Sequence, residues 1–142
     1  MTGPFLQLDV VRQWVDMAEH DLTNARHTLT LEEDCPYDTV CFHAQQCAEK
    51  YLKALLTYRG IDPPRTHDIT ELEALLPAGD RVLPPGLHLL NPYAVETRYP
   101  GPWEPLERED AVRAVEIGLA VRGTVRSLLP LETFDPYTGA QA

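Results

Sequence analysis

No stretch of this chain approaches the roughly 20 consecutive apolar residues that a helix needs to cross a bilayer, so a membrane partner is excluded on this count and a soluble, cytoplasmic, unprocessed protein is expected. Cysteine is scarce: Cys35, Cys41 and Cys47 are an odd set, spaced by six. On a helix that spacing turns each about 240° from the last, so the three do not converge on a metal. With no secretory leader to suggest an oxidising compartment, Cys41 and Cys47 are expected to serve as small core filler. Cations are also sparse, 12 against 22 acids, for a net charge of -10. Nonspecific nucleic-acid binding rests on clustered Lys and Arg that release counterions, so that class is disfavoured. Nothing reads as a β-strand, no segment repeats, and no low-complexity tract interrupts the chain. No cofactor motif is present, and none is expected.

What is present is helical periodicity. At 142 residues the chain is long enough for one domain that buries roughly two thirds of its unfolded surface without staples. From Asp9, expected to cap it, to about Thr30, the residues Val11, Trp14, Val15, Ala18, Leu22, Ala25 and Leu29 recur at three and four, which predicts a first helix. Asp16, Glu19 and Asp21 fall on its other face, a solvated acidic stripe unless one meets Lys50 or Lys53. Pro36 or Asp38 opens a second helix that runs to about Arg59, with Gly60 as its terminator and Ile61-Asp62-Pro63-Pro64 unable to continue it. Thr66 or His67 restarts a short third helix bearing Ile69, Leu72, Leu75 and Leu76. An irregular fourth, interrupted by Pro84, Pro85 and Pro92, spans Leu83 to Ala94. A long last helix starts near Glu107 and carries Ala111, Val115, Leu119, Val125, Leu128 and Leu129. The expected architecture is all-α: an up-and-down bundle of about five helices in residues 1–130, with two long antiparallel N-terminal helices and a flexible C-terminal tail over 131–142.

The segment from Cys41 to Thr70 carries more polar groups near its packing seam than packing requires. Gln45, Gln46, Glu49, Lys50 and Lys53 recur at helical spacing, and a buried amide or carboxylate must find partners. Two readings stand side by side. The residues line a pocket between the first two helices, amides reading a base and lysines holding phosphate; or they form a hydrogen-bond network, with Glu49 and Lys53 an exposed i,i+4 pair worth about 0.2–0.5 kcal/mol. His43 is expected to pack or bond locally. His67 is expected to cap or anchor the third helix, beside Arg59 and Arg65, with a site role as the alternative. His20 and His27 share a face but lack companions for a metal. Arg98, entering Tyr99-Pro100 beside Trp103, is the cation best suited to clamp a phosphate, or else to bridge to Glu49, Glu96 or Glu104.

Four blocks in order resemble the HEPN domain family: Trp14 to Ala25; Phe42-His43-Ala44-Gln45-Gln46-Cys47-Ala48-Glu49-Lys50 with Leu52-Lys53-Ala54; Thr66-His67-Asp68-Ile69; and Arg98-Tyr99-Pro100. The resemblance covers roughly Val11 to Leu129. It implies a helical-bundle domain that forms a homodimer, works beside a minimal nucleotidyltransferase protein in toxin-antitoxin pairs, and binds nucleotide or RNA. Several branches of the family are metal-independent ribonucleases with an Arg, four to six residues and a His late in the bundle, where His moves a proton and Arg holds the phosphate. Here only Arg81 and His88 have that spacing, with Pro84, Pro85 and Gly86 between them, and they precede the last helix, which contains no histidine. A binding and regulatory module is therefore the leading expectation, with Arg98, Lys50, Lys53, Gln46, Glu49, His67 and Tyr99 as ligand-binding candidates. A ribonuclease toxin, with Arg81 and His88 as weak catalytic candidates, and a ligand-free interaction domain are the alternatives.

Overall fold

A computed structural model describes residues 4–95 and 104–134. Its helices are α1 (Pro4–Thr28), α2 (Tyr37–Tyr58), the short α3 (Ile69–Ala74) and α4 (Arg108–Leu128), with 3-10 turns at Ala78–Asp80, Leu87–Tyr93 and Leu131–Thr133. No strand occurs among the described residues. The expected bundle is present, and its irregular fourth helix is the 3-10 segment Leu87–Tyr93, which contains Pro92.

Side-chain ties give the directions of the long helices. Gln7 near the start of α1 donates to the carbonyls of Thr57 and Tyr58 at the end of α2, while Asp21 lower in α1 meets His43 and Lys50. Those two helices are antiparallel. Arg108 at the start of α4 donates to the carbonyls of Leu29 and Leu31 just past α1, and Arg126 near its end reaches Tyr51. Consequently α4 runs antiparallel to α1 and parallel to α2, which requires the long connection through α3 and the 3-10 turns to bring the chain back across the bundle. The central element is α2: thirteen of its residues are buried, from Val40 and Cys41 to Leu55 and Leu56. Val11, Val15, Ala18, Leu22 and Ala25 cover it from α1, and Ala111, Ala114, Val115, Val121 and Val125 from α4. Each fully buried Leu or Val of this set contributes about 1.5–3 kcal/mol. At the α2–α4 crossing the backbones come close; a Cβ on Gly118 would lie 3.4 Å from the Ala44 carbonyl oxygen.

The boundaries correct several expectations. The first helix begins at Pro4, so Asp9 is an interior residue whose carboxylate accepts from Arg12 at 2.7 Å rather than capping the helix. The cap of α3 is Asp68, not Thr66 or His67: its carboxylate accepts from the N–H groups of Thr70 and Glu71. Asn91 completes that end by accepting from the Ile69 N–H and donating to Asp68 and Thr70, which pins the 3-10 segment to α3. Leu75, expected on the buried stripe, is exposed because the helix has already ended at Ala74. Beyond α4, Thr133 is buried and the Glu132 carbonyl accepts from Arg12.

The end of α2 follows the expected chemistry. Gly60 has φ +78°, the Gly60 N–H donates to Thr57 and the Ile61 N–H to Leu56, a Schellman closure. A Cβ there would touch nothing within 4 Å, so a substitution is penalised only by the left-handed backbone. Gly60→Ala is expected to lower stability by about 1 kcal/mol and Gly60→Asn by less, read from denaturant midpoints at constant m-value.

Candidate functional site

The polar stripe of α2 resolves into two carboxylate hubs. Glu49 is buried, and its Oε1 accepts from Gln45 at 3.3 Å and Gln46 at 3.5 Å and lies 2.9 Å from Nδ1 of His67. Its Oε2 accepts from Nζ of Lys53 at 3.2 Å. Gln45 also donates to the His67 carbonyl at 3.0 Å, so the amide and the carboxylate together hold the turn before α3 against α2. The second hub is Asp21 on α1, whose carboxylate oxygens take Nδ1 of His43 at 2.8 Å and Nζ of Lys50.

Three expectations change here. The Glu49–Lys53 pair is buried, with side-chain exposures of 3% and 8%, not an exposed surface pair. His43 packs edge-on against Phe42 as expected, but its hydrogen bond runs across to Asp21 on α1 rather than locally. Asp21 and Glu19 are not a solvated stripe: Asp21 takes Lys50, and Glu19 takes Arg122 at 2.9 Å as well as Arg126. Only Asp16 of the three is exposed to solvent.

Between these acids lies Cys47, buried in α2. Burial, and then the nearby charges of Glu19 and Asp21, push its thiol up to about 12. Tyr51, one turn on, is likewise pushed well above the usual phenol range by burial, although the hydrogen bond from Arg126 opposes the shift. Both groups stay neutral at ordinary pH, so neither thiolate nor phenolate chemistry is available at this seam.

The other candidates are placed apart from the hubs. Arg81 donates its guanidinium to the carbonyls of Leu76 at 3.0 Å and Ala74 at 2.9 Å, closing the end of α3, while His88 is exposed on the 3-10 segment. Arg59 is held by Asp80 through two bonds of 2.6 and 2.9 Å. Arg98 and Tyr99 lie outside the described residues. Of the residues named from sequence, Gln46, Glu49, Lys53 and His67 thus share one network, Lys50 belongs to the neighbouring hub, and Arg81 and His88 belong to neither.

A feature that the sequence did not reveal opens beside Lys53. A cleft of about 900 Å³ lies between the start of α1, the end of α2 and the turn Gly60–Arg65. Trp14 lines it, and the Lys53 ammonium stands 5.5 Å from the centre of the indole. Pro63, Pro64 and Arg65 form the facing turn. Trp14 and the two prolines were legible only as a packing aromatic and a helix stop, because the cleft depends on how the turn folds back over α1.

The chain belongs to the HEPN domain family, whose signature it matches over residues 11–128. Its fold is similar to that of TT1696 from Thermus thermophilus, with 32% identity over 84% of this chain and 98% of that one at a TM-score of 0.73. It is also similar to an archaeal HEPN homologue, with 29% identity over 83% of this chain and 96% of that one at a TM-score of 0.66. No protein of curated function matches the chain. Among the described residues no helix is long and apolar enough to cross a membrane.

Proposed function

We propose that this HEPN domain is a binding and regulatory module rather than a nuclease: a homodimer that works with a minimal nucleotidyltransferase protein and binds nucleotide or RNA phosphate beside Lys53, with Arg98 supplying the charge that Lys53, paired with Glu49, does not. The observation that favours binding over cleavage is the state of the arginines. On α4, Arg108 is engaged by backbone carbonyls and Arg122 and Arg126 by Glu19, Arg113 is exposed, and that helix has no histidine to work with any of them. Arg81, the one arginine with a histidine at suitable spacing, has its guanidinium bonded to two carbonyls of its own turn. A phosphate-holding arginine paired with a mobile proton carrier is what RNA cleavage needs, and neither arrangement supplies it. Lys50 is less available than its position suggested, because Asp21 neutralises it.

The proposal is tested by melting and by size. Nucleotide at 100 times Kd should stabilise the protein by about 2.7 kcal/mol, and Arg98→Ala should abolish the rise in melting temperature. Light scattering at micromolar concentration should return a dimer, and co-expression with a minimal nucleotidyltransferase should yield a complex. A monomer with no shift from any nucleotide would sink the proposal. Metal-independent RNA cleavage that disappears in His88→Ala would instead establish the nuclease alternative.

A further inference from the structure

The cleft beside Lys53 has the parts of a small-molecule site and adjoins the Glu49 hub, with which it shares Lys53. Its floor and walls come from elements that are fixed independently of any ligand. Gln7 ties the start of α1 to the end of α2 through the carbonyls of Thr57 and Tyr58, and the Schellman closure at Gly60 sets the direction of the turn that follows. Pro63 and Pro64 then restrict that turn to one path. A cleft whose walls are held in this way loses little entropy when a ligand enters.

Its surface chemistry is mixed in a particular way. The half-buried indole of Trp14 and the rings of Pro63 and Pro64 supply flat apolar area. Lys53 supplies a cation, 92% hidden from solvent, whose bond to Glu49 is 3.2 Å long and whose charge is therefore already balanced. Arg65 is exposed on the rim, and no acid pairs with it among the described residues. Beside it on the same turn is Asp62, also exposed. One unengaged guanidinium next to flat apolar surface suits a ring that carries an anionic group, because Arg binds phosphate through two parallel N–H donors and aromatic surface favours stacking. Asp62 and the net charge of -10 oppose a ligand with several negative charges.

We infer that the Trp14–Lys53–Arg65 cleft binds a nucleoside monophosphate, its base against Trp14 and the Pro63-Pro64 wall and its phosphate on Arg65. This rests on the proposed nucleotide-binding function and deepens it by naming both a place and a charge state. A terminal nucleotide of RNA presents the same base and phosphate as the free compound, and both sources are compared below. Discrimination against triphosphates follows from the single free cation at the rim among the described residues.

The test uses the intrinsic fluorescence of Trp14. Trp14 and Trp103 are the two tryptophans of the chain, so the full-length Trp103→Phe protein leaves Trp14 as the sole reporter. Titration with AMP should give saturable quenching. Adenosine, which lacks the phosphate, should bind about tenfold more weakly or worse for want of the charge-assisted bonds to Arg65, and ribose 5-phosphate, which lacks the base, about tenfold more weakly or worse for want of stacking on Trp14. ATP should bind more weakly than AMP. In the Arg65→Ala background AMP should fall to the affinity of adenosine, while adenosine itself is unchanged; Arg65 is exposed, so this variant keeps its fold. Stronger quenching by a 5′-phosphorylated pentanucleotide than by AMP assigns the site to RNA ends, and the reverse to the free nucleotide.

The inference is overturned if AMP gives no saturable quenching, if ribose 5-phosphate or ATP matches AMP, or if Arg65→Ala leaves AMP binding intact. Calorimetry separates this failure from that of the broader proposal. Nucleotide binding that persists in Arg65→Ala and disappears in Arg98→Ala retains the function and rejects the cleft. No nucleotide binding in the wild-type protein rejects both.

Discussion

Glu49→Ala is expected to destabilise the protein by roughly 3–5 kcal/mol, the range for removing one partner of a buried ion pair. The carboxylate is 3% exposed and the Lys53 ammonium 8%, and Glu49 is the acid bonded to that ammonium. Its removal leaves a desolvated charge beside an indole, and the cation–π contact at 5.5 Å replaces only part of the lost interaction. Gln45 and Gln46 also lose an acceptor, and His67 loses its link to α2. For a chain of this length the melting temperature should fall by roughly 10 °C. Glu49→Ala combined with Lys53→Met should recover much of the loss, because the stranded charge and not the missing bond is the larger cost. Chemical denaturation of the two single variants and the double variant measures the coupling. A loss below about 1 kcal/mol for Glu49→Ala would mean that Lys53 turns out into the cleft and solvates itself there.

The same pair shows where the sequence was readable and where it was not. Periodicity identified the helices, since Val11, Trp14, Val15, Ala18 and Leu22 mark a buried face whatever that face packs against. Gly60, the two prolines after it and the Glu107 start of α4 were local signals with local causes. The relation between Glu49 and Lys53 was local in sequence too, but its energy was not. An i,i+4 pair contributes little in water and becomes consequential when both members are enclosed, and enclosure here comes from α1 and from the turn at His67. The third helix failed for a related reason. Thr66, His67 and Asp68 are all polar residues suited to a start, and the choice of Asp68 is fixed by Asn91, which arrives from 23 residues later.

Pairings between distant elements were the least legible. Asp21 with Lys50 had been one option against plain solvation, and nothing in the spacing could decide it. Glu19 with Arg122 and Arg126, and Arg59 with Asp80, had no signal at all, since the first depends on how α4 is laid against α1 and the second on how the turn after α3 folds back to the end of α2. The cleft is of the same kind. Its aromatic belongs to α1, its buried cation to α2 and its rim to the turn, and only folding brings the three together.

Stability should fall steeply above pH 9, and the seam between α1, α2 and α4 accounts for the slope. Cys47 and Tyr51 are neutral when protonated, so burial raises the pKa of each; the thiol moves from its usual 9.0 to about 12 and the phenol upward from 10.0. In the unfolded chain both ionise at their ordinary values while the folded protein keeps the protons. The native state therefore holds more protons than the unfolded state, and stability declines with rising pH by about 1.4 kcal/mol per unit for each group. Cys47 contributes from pH 9 upward and Tyr51 joins from pH 10, giving a combined loss of roughly 4 kcal/mol by pH 11. Below about pH 8 neither group contributes appreciable slope. Urea midpoints from pH 8 to 11 should show this break. Cys47→Ala should lower stability at every pH by a constant cavity cost of about 1 kcal/mol yet flatten the decline between pH 9 and 10, and Tyr51→Phe should flatten it only above pH 10. An unchanged slope in Cys47→Ala would show that the thiol ionises within the folded protein, which requires water to reach a seam that Val15, Ala18 and Val121 otherwise close.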